Sequence, residues 1–358
     1  MHRSRSRGIV CTGVVSAALV GPAVMTGGAA VAERVDGLEG PRGFDIGATG
    51  KTVVAEADGT ISRAFRFGPR AGTVKKIAKL PPGFVAPAVA VGPDNVVWVL
   101  TTGGESDSSG TLFRAEPGKK LVAVRDIATW VRKNHPDKSD LENKPRDSNP
   151  YGVAAGPGGT ALVADAANNA VLKVWPGGRT RVVARVEPRM TPVPEEMQGG
   201  EQPLPPQLPT ESVPTSVTLG SDGSVYIGEL RGFPGTPGYS QIWRVKPGAM
   251  HAVCDPATPK KGTCKRYVDG LTSVVALDTG RGGSLYAAEL SMDGWLAAES
   301  GSFEGAIIRI GHDTSVRREL GAGKVILPGG VAVGGNGNVF TAGPIFGDAG
   351  PGSIFRVR

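Results

Sequence analysis

The residues of this chain whose type and spacing could bind a metal ion are acidic side chains at the ends of short apolar segments. They are Glu56, Asp165, Glu229 and Glu289. Asn149 and Ser212 stand shortly before two of the same segments and could add oxygen ligands. A hard cation such as Ca²⁺ takes several oxygen ligands, so these residue types on one rim would suit a Ca²⁺ site.

The same carboxylates also have a purely structural interpretation. An acidic residue at the end of a strand can accept hydrogen bonds from backbone N–H groups of a nearby turn and so fix that turn. The stretch Asp165-Ala-Ala-Asn168-Asn169 is typical of such a local cap. Recurrence favours the structural role, because a ligand site is usually asymmetric. The sequence therefore requires no cofactor, and Ca²⁺ is the one that it suggests.

Nucleophilic catalysis finds little support in the sequence. His135, His251 and His312 fall in unrelated segments, so we do not expect them to converge. There is no G-x-S-x-G motif, and no histidine cluster indicates zinc or copper. We therefore favour a non-enzymatic protein and leave enzymatic activity open.

The N-terminus has the organisation of a secretory signal peptide. Basic residues are followed by an apolar run and then by small residues, which predicts a signal peptide over residues 1–30 with cleavage between 29 and 32. We expect a secreted, extracellular protein with no membrane span after cleavage. The formal charge of +7 includes the three arginines of this segment, and the remaining charge is dispersed, which argues against nucleic-acid binding.

Two cysteines outside this segment lie close together in the sequence. Cys254 and Cys264 are separated by a stretch that contains prolines and a glycine. In an exported protein such a pair is typical of a disulfide that closes a short loop. A metal or redox pair is the alternative, but no third or fourth ligand accompanies it. We predict the disulfide.

One unit recurs six times along the chain. It consists of an apolar strand, a tight turn of Gly, Asp or Asn, a second strand that ends in an acidic or small residue, and then a third and usually a fourth strand. The units start near Pro41, Ala86, Asn149, Val213, Leu271 and Pro328. Four-stranded units repeated six times predict an all-β fold, the six-bladed β-propeller.

The two ends of the chain predict how the ring closes. The sixth unit stops after its third strand, and residues 31–35 precede the first unit without a partner. Pairing of this N-terminal strand into the last blade would leave no exposed edge. We therefore expect one propeller domain over residues 31–358, and we expect it to be a monomer.

Loop lengths distinguish the two faces of the predicted ring. Turns between first and second strands are short, whereas loops between second and third strands and between blades are long. The long loops include insertions at residues 129–148 and 188–212. Ile127, Trp130 and Val131 predict a short helix at the first insertion, and the prolines of the second insertion predict an extended flap. Long loops on one rigid face predict a binding surface there.

Several motifs resemble a known family. The chain resembles the ScyD/ScyE family from residue 31 to Arg358, above all in NPYGVAAGPGGTALVADAANN, VPTSVTLGSDGSVYIGELRGFPGTPG and LPGGVAVGGNGNVF. The resemblance implies an exported propeller, common in actinobacteria, with no settled enzymatic activity. VADAANNAVLKV is similar to an NHL repeat. The cysteine loop and the proline-rich insertion depart from the family pattern.

Two functions remain open on these observations. The first is a binding or scaffold propeller that takes a small molecule or an extracellular protein on its long-loop face. The alternative is a Ca²⁺-dependent hydrolase, which resembles gluconolactonase-type propellers and would use Asp165, Glu229 and Glu289 with Asn149 at the channel mouth. The two differ in whether these side chains converge on the channel or turn back onto their own blades. A quinone-dependent dehydrogenase lacks the expected histidine and arginine set.

Overall fold

The computed structural model describes residues 33–103, 109–199, 203–346 and 350–358. Over these ranges the chain forms six four-stranded antiparallel sheets that are arranged as a six-bladed β-propeller, as predicted. The signal peptide predicted at residues 1–30 lies outside the described residues. No helix in the described ranges is long and apolar enough to cross a membrane.

Each blade is formed by four strands, named in chain order. Blade one contains β2 (Phe44–Ile46), β3 (Thr52–Ala55), β4 (Thr60–Phe65) and β5 (Thr73–Lys79). Blade two contains β6 (Ala88–Val91), β7 (Val97–Leu100), β8 (Thr111–Ala115) and β9 (Val122–Asp126). Blade three contains β10 (Pro150–Gly156), β11 (Thr160–Asp165), β12 (Ala170–Val174) and β13 (Thr180–Val186).

The other three blades repeat this order. Blade four contains β16 (Pro214–Leu219), β17 (Val225–Glu229), β18 (Ser240–Val245) and β20 (Cys264–Leu271). Blade five contains β21 (Val274–Thr279), β22 (Leu285–Glu289), β23 (Ala306–Ile310) and β24 (Arg317–Leu320). Blade six contains β25 (Gly330–Val333), β26 (Val339–Gly343), β27 (Gly352–Arg356) and the N-terminal strand β1 (Arg34–Leu38).

The ring closes by the predicted pairing of the N-terminal strand. Strand β1 is antiparallel to β27, with Val35 opposite Ile354. It begins three residues later than the sequence predicts. The shift has a physical reason: Val35 and Leu38 are both buried in the last blade. They are three residues apart, and the irregular register between Asp36 and Leu38 lets both side chains face the core.

The core lies between neighbouring blades. One apolar cluster joins blades two and three around Trp98 and Leu172, and another joins blades three and four around Ile227 and Trp243. Burial of each large side chain contributes about 1.5–3 kcal/mol. Tight turns at one face connect the strands; Gly223 and Gly337 have φ of 77° and 86° there, a conformation that glycine adopts without strain.

The first insertion begins with the predicted helix. Helix α1 (Ile127–Asn134) starts at Asp126, whose carboxylate accepts a hydrogen bond from the Thr129 N–H at 2.7 Å. Ile127 and Val131 are buried in the cluster between blades two and three. The helix therefore docks the insertion on the ring.

The second insertion is more regular than the extended flap that its prolines predict. It forms a hairpin of β14 (Arg189–Pro192) and β15 (Gln207–Thr210), with α2 (Glu195–Gln198) between them. A two-stranded ribbon has free edges, so it tolerates prolines that a central strand would not. Arg189 anchors the hairpin to blade four through an ion pair with Asp269 at 2.8 Å.

The predicted disulfide joins Cys254 to Cys264, with their Cα atoms 5.0 Å apart. Cys254 ends β19 (Ala252–Cys254), which adds a fifth, parallel strand to the outer edge of blade three. Cys264 begins the outer strand of blade four. The bond therefore fastens two neighbouring blades to each other.

Candidate functional site in the central channel

The six first strands, β2, β6, β10, β16, β21 and β25, line a channel through the ring. Each of them starts at the face that carries the loops between second and third strands and between blades, which we call the long-loop face. The turns between first and second strands and those between third and fourth strands form the opposite, short-turn face. Propeller sheets that meet at such a channel bring residues from distant parts of the sequence together.

Three of the predicted carboxylates hold the backbone that leads into their own blades. Asp165 accepts hydrogen bonds from the Asn149 N–H at 2.8 Å and from the Ser148 hydroxyl at 2.5 Å. Glu289 accepts one from the Thr272 N–H at 2.7 Å. Glu56 accepts one from the backbone N–H of residue 39 at 3.0 Å. Burial raises the pKa of Asp165 to about 6 and that of Glu289 to about 7.

Glu229 has a different set of partners. Its carboxylate forms a buried ion pair with Arg231 and accepts a hydrogen bond from the Trp243 indole N–H. Burial raises the pKa of Glu229 against the opposing charge of Arg231. The guanidinium of Arg231 also donates to the Thr210 carbonyl at 3.3 Å, so the pair connects blade four to the hairpin of the second insertion.

The predicted amide and hydroxyl ligands are also engaged by protein groups. The Asn149 side-chain oxygen accepts a hydrogen bond from the Gly103 N–H at 3.1 Å. The Ser212 hydroxyl donates to the Asn169 side-chain oxygen at 2.8 Å. Within the described ranges no three His, Cys, Asp or Glu side chains are grouped so that they could hold a metal ion.

A buried arginine occupies the channel at the long-loop face. Arg42 stands two residues before β2 and is only 3% exposed. Its guanidinium stacks on the Tyr151 ring, 3.7 Å from the centroid, and donates to the Ala86 carbonyl at 2.6 Å and to the Tyr151 carbonyl. It has no carboxylate partner among the described residues, so its charge is uncompensated.

Two buried polar atoms at this end of the channel have no hydrogen-bond partner in the part of the chain that the structure describes. They are Nε of Arg42 and the hydroxyl of Ser216, and both residues line one cavity of about 70 Å³ in the channel mouth. That volume corresponds to roughly two water molecules. Buried polar groups are ordinarily paired, so two unpaired ones on a single cavity suit a small polar ligand.

The short-turn end of the channel carries the opposite charge. Asp45 and Asp278 line a cavity of about 280 Å³ there. Asp45 accepts a hydrogen bond from the Val91 N–H at 2.6 Å, and Asp278 accepts one from the Val333 N–H at 2.7 Å, so each carboxyl reaches the next blade. Burial raises the pKa of Asp45 to about 6; burial and the charge of Asp45 raise that of Asp278 to about 8.

Sequence reasoning missed these three channel residues, although the repeat contains a signal for them. Arg42 stands where the corresponding positions of the other blades hold Pro87, Tyr151, Thr215, Val275 and Gly329. Asp45 and Asp278 stand where the other blades hold Ala90, Ala154, Thr218 and Ala332. A charged residue at a repeat position that is otherwise uncharged departs from the structural pattern and points to a special role.

Three solved structures share this fold at low sequence identity. An oxidoreductase of Thermus thermophilus described as a glucose dehydrogenase is 17% identical with a TM-score of 0.55, over 92% of this chain and 99% of its own. A gluconolactonase of Xanthomonas campestris is 11% identical with a TM-score of 0.53, over 90% and 88%. The PQQ-bound aldose sugar dehydrogenase of Streptomyces coelicolor is 14% identical with a TM-score of 0.52, over 89% and 94%.

These identities show a shared fold and transfer no activity to this chain. No family model matches the sequence, and no curated protein is significantly similar to it. The fold places this protein in the class of six-bladed β-propellers. The three solved structures named above show that this class includes enzymes of more than one type.

Proposed function

We propose that this protein is a secreted, non-catalytic binding propeller whose long-loop face takes a small molecule or an extracellular protein through an anionic group. The observation that carries the proposal is Arg42, a buried cation that has no carboxylate partner among the described residues. It lines the same cavity as Ser216, whose hydroxyl has no hydrogen-bond partner there either. A carboxylate in this cavity would accept hydrogen bonds from both groups and neutralise the buried charge.

The distribution of exposed apolar side chains supports a binding role for the same face. On the long-loop face these side chains are Phe84, Leu141, Met190, Phe233 and Met292. Among the described residues, the turns of the short-turn face hold Phe67 and Val316, and the outer strands hold Val74, Ile77, Val122 and Val253. Phe84 is 86% exposed and its ring lies 6.3 Å from that of Phe346, so apolar surface is available to a partner on this face.

Secretion and family membership are part of the proposal. The disulfide between Cys254 and Cys264 supports an oxidising compartment. The resemblance to the ScyD/ScyE family, which implies an exported propeller without settled activity, agrees with a binding role.

The Ca²⁺-dependent hydrolase is less well supported. Its ligands would be Asp165, Glu229 and Glu289 with Asn149, and each of these side chains is already engaged by protein hydrogen bonds. The charged group at the channel mouth is a cation, which repels a metal ion. A stoichiometric Ca²⁺ in the purified protein, with a lower melting temperature after chelation, would restore this alternative.

The test is a calorimetric titration of the purified protein with acetate and with one peptide in two forms, one with a free and one with an amidated C-terminus. We expect acetate and the free C-terminus to bind, and Arg42→Gln and Ser216→Ala to weaken both. Ala88 and Ala276 occupy the position of Ser216 in other blades, so that variant should fold. Arg309→Gln is the control, because Arg309 also has an unpaired buried Nε but does not line the cavity. Equal affinities for wild type and Arg42→Gln would refute the proposal.

A further inference from the structure

Blade one carries most of the excess positive charge of the chain. Residues 51–79 contain seven Lys and Arg against two Asp and Glu, whereas the whole chain has a net charge of +7. One of the two acids, Asp58, is already paired with Lys79. The positive charge is therefore concentrated in this blade, in contrast to the dispersed distribution expected above.

Three of these cations surround one pocket on the short-turn face, between blades one and two. Lys51, Arg63 and Arg66 line a cavity of about 470 Å³, together with Phe67 and Asn95. We call it the blade-one basic pocket. None of its lining residues is acidic. The volume falls within the range of small-molecule sites, about 300–1,000 Å³.

The cations of the pocket have donors to spare. Lys51 donates to the Asn95 carbonyl at 3.0 Å and has two further ammonium N–H groups. Arg66 is 4% exposed, and its one hydrogen bond to the described residues runs from Nε to the Thr52 hydroxyl at 2.8 Å. Arg63 is exposed and forms no ion pair with the described residues.

The surroundings of the pocket destabilise the charged forms of Lys51 and Arg66 while no anion is bound. Burial and the charge of Arg63 lower the pKa of Lys51, and burial lowers the pKa of Arg66 to about 10. Burial therefore disfavours the charged form of both side chains, and the neighbouring charge of Arg63 adds to this effect at Lys51. An anion among them would reverse this effect, and arginine binds phosphate oxygens in a bidentate manner.

An aromatic ring adjoins the cations. Phe67 is 45% exposed at the pocket. The Arg66 guanidinium lies 5.1 Å from the centroid of its ring and 4.5 Å from that of the Phe340 ring in blade six. The exposed surface of Phe67 could cover the carbon skeleton of a ligand. Three cations match a dianion better than a monoanion, and a phosphate monoester carries a charge of about −1.5 to −2 at neutral pH.

From this geometry we infer that the blade-one basic pocket binds a small organic phosphate monoester, with the phosphate at Lys51, Arg63 and Arg66 and the organic part against Phe67. The inference goes beyond the proposed function, because the pocket lies on the opposite face from Arg42. Either site could be occupied without the other.

The experiment is a calorimetric titration of the purified protein at low salt with glucose 6-phosphate, glucose 6-sulfate and inorganic phosphate. We expect glucose 6-phosphate to bind more tightly than the other two. Arg63→Gln should weaken it about tenfold, the loss expected for one charge-assisted hydrogen bond. Phe67→Ser should weaken glucose 6-phosphate but leave inorganic phosphate unchanged. Arg63 and Phe67 are exposed, so both variants should fold, and a thermal melt checks this.

Two controls separate the pocket from general surface charge and from the channel. Lys246→Gln removes an exposed cation from the short-turn face of blade four and should leave all three affinities unchanged. Arg42→Gln should also leave all three affinities unchanged, which would establish that the two sites are independent. Absence of binding to wild type, an equal loss in Lys246→Gln, or equal affinity for the phosphate and sulfate esters would each overturn the inference.

Discussion

The channel carboxyls predict a measurable pH dependence of stability. Asp278 has a pKa of about 8 in the folded protein, against 3.8 for the free side chain, because it is buried beside Asp45. Between these values the unfolded chain ionises Asp278 while the folded chain keeps it protonated. The folded state thus holds more protons, so stability must fall as pH rises from about 4 to about 8 and level off above.

The magnitude follows from the size of the shift. One pKa unit corresponds to about 1.4 kcal/mol, so Asp278 removes about 3–4 kcal/mol of unfolding free energy between pH 5 and pH 8. Asp278 is partly exposed to the channel, where water screens its charge. The loss of about 3–4 kcal/mol in unfolding free energy is therefore an upper limit. For a chain of this size the loss lowers the melting temperature by about 5 °C.

The perturbation that isolates this contribution is Asp278→Asn. Asparagine keeps one acceptor for the Val333 N–H but cannot ionise, so the melting temperature of the variant should fall about 5 °C less than that of wild type between pH 5 and pH 8. Asp165 and Glu289 also have raised pKa values, but they titrate in both proteins and cancel in the comparison.

The assay is differential scanning calorimetry at half-unit pH intervals, with Asp222→Asn as the control. Asp222 is an acidic residue of the short-turn face whose pKa is lowered, chiefly by the Ser224 N–H. Its contribution is lost only at acid pH, so this variant should parallel wild type from pH 5 to pH 8. Parallel curves for wild type and Asp278→Asn would refute the argument that the channel holds a strained carboxyl pair.

Two further predictions concern the contacts between neighbouring elements. Replacing both Cys254 and Cys264 with serine should lower the unfolding free energy by about 2–3 kcal/mol, because the closed loop is short; a thermal melt would detect this as a decrease of about 4 °C, and an unchanged melt would show that the bond does not constrain the unfolded chain. Glu229→Gln should cost about 3–5 kcal/mol, because it leaves Arg231 buried without a counter-charge. Glu116→Gln, which breaks an exposed pair, should change the same melt by at most about 1 kcal/mol.

The architecture of the ring could be predicted because its signals are local. Apolar strands of four to eight residues, bounded by glycine-containing turns such as Asp222-Gly223, identify each hairpin without knowledge of its neighbours. Repetition of that hairpin then leaves few folds to consider. The disulfide could be predicted for the same reason, since Cys254 and Cys264 are close in the sequence. The bounds of β1, Arg34–Leu38, differ from the predicted residues 31–35, because they depend on pairing with the distant strand β27.

The roles of the acidic residues could be predicted only in part. Asp165 and Asn168 lie three residues apart, and the Asp165 carboxylate accepts a hydrogen bond from the Asn168 N–H at 3.2 Å, which is the local cap that the sequence suggests. The ion pair of Glu229 with Arg231 was not recognised. The sequence does not show where the side chains of Glu229 and Arg231 point. Their orientation depends on contacts with Trp243 and with the hairpin of the second insertion.

The sequence by itself determined the number of blades, the closing strand and the face with long loops, since each depends on repeat length and on patterns within a few residues. Only the tertiary structure decided what the channel contains. Arg42, Tyr151 and Ser216 are more than sixty residues apart from one another, and Asp45 and Asp278 lie in different blades. Their burial and mutual charge effects exist only once the ring has closed, because closure removes water and brings their strands together.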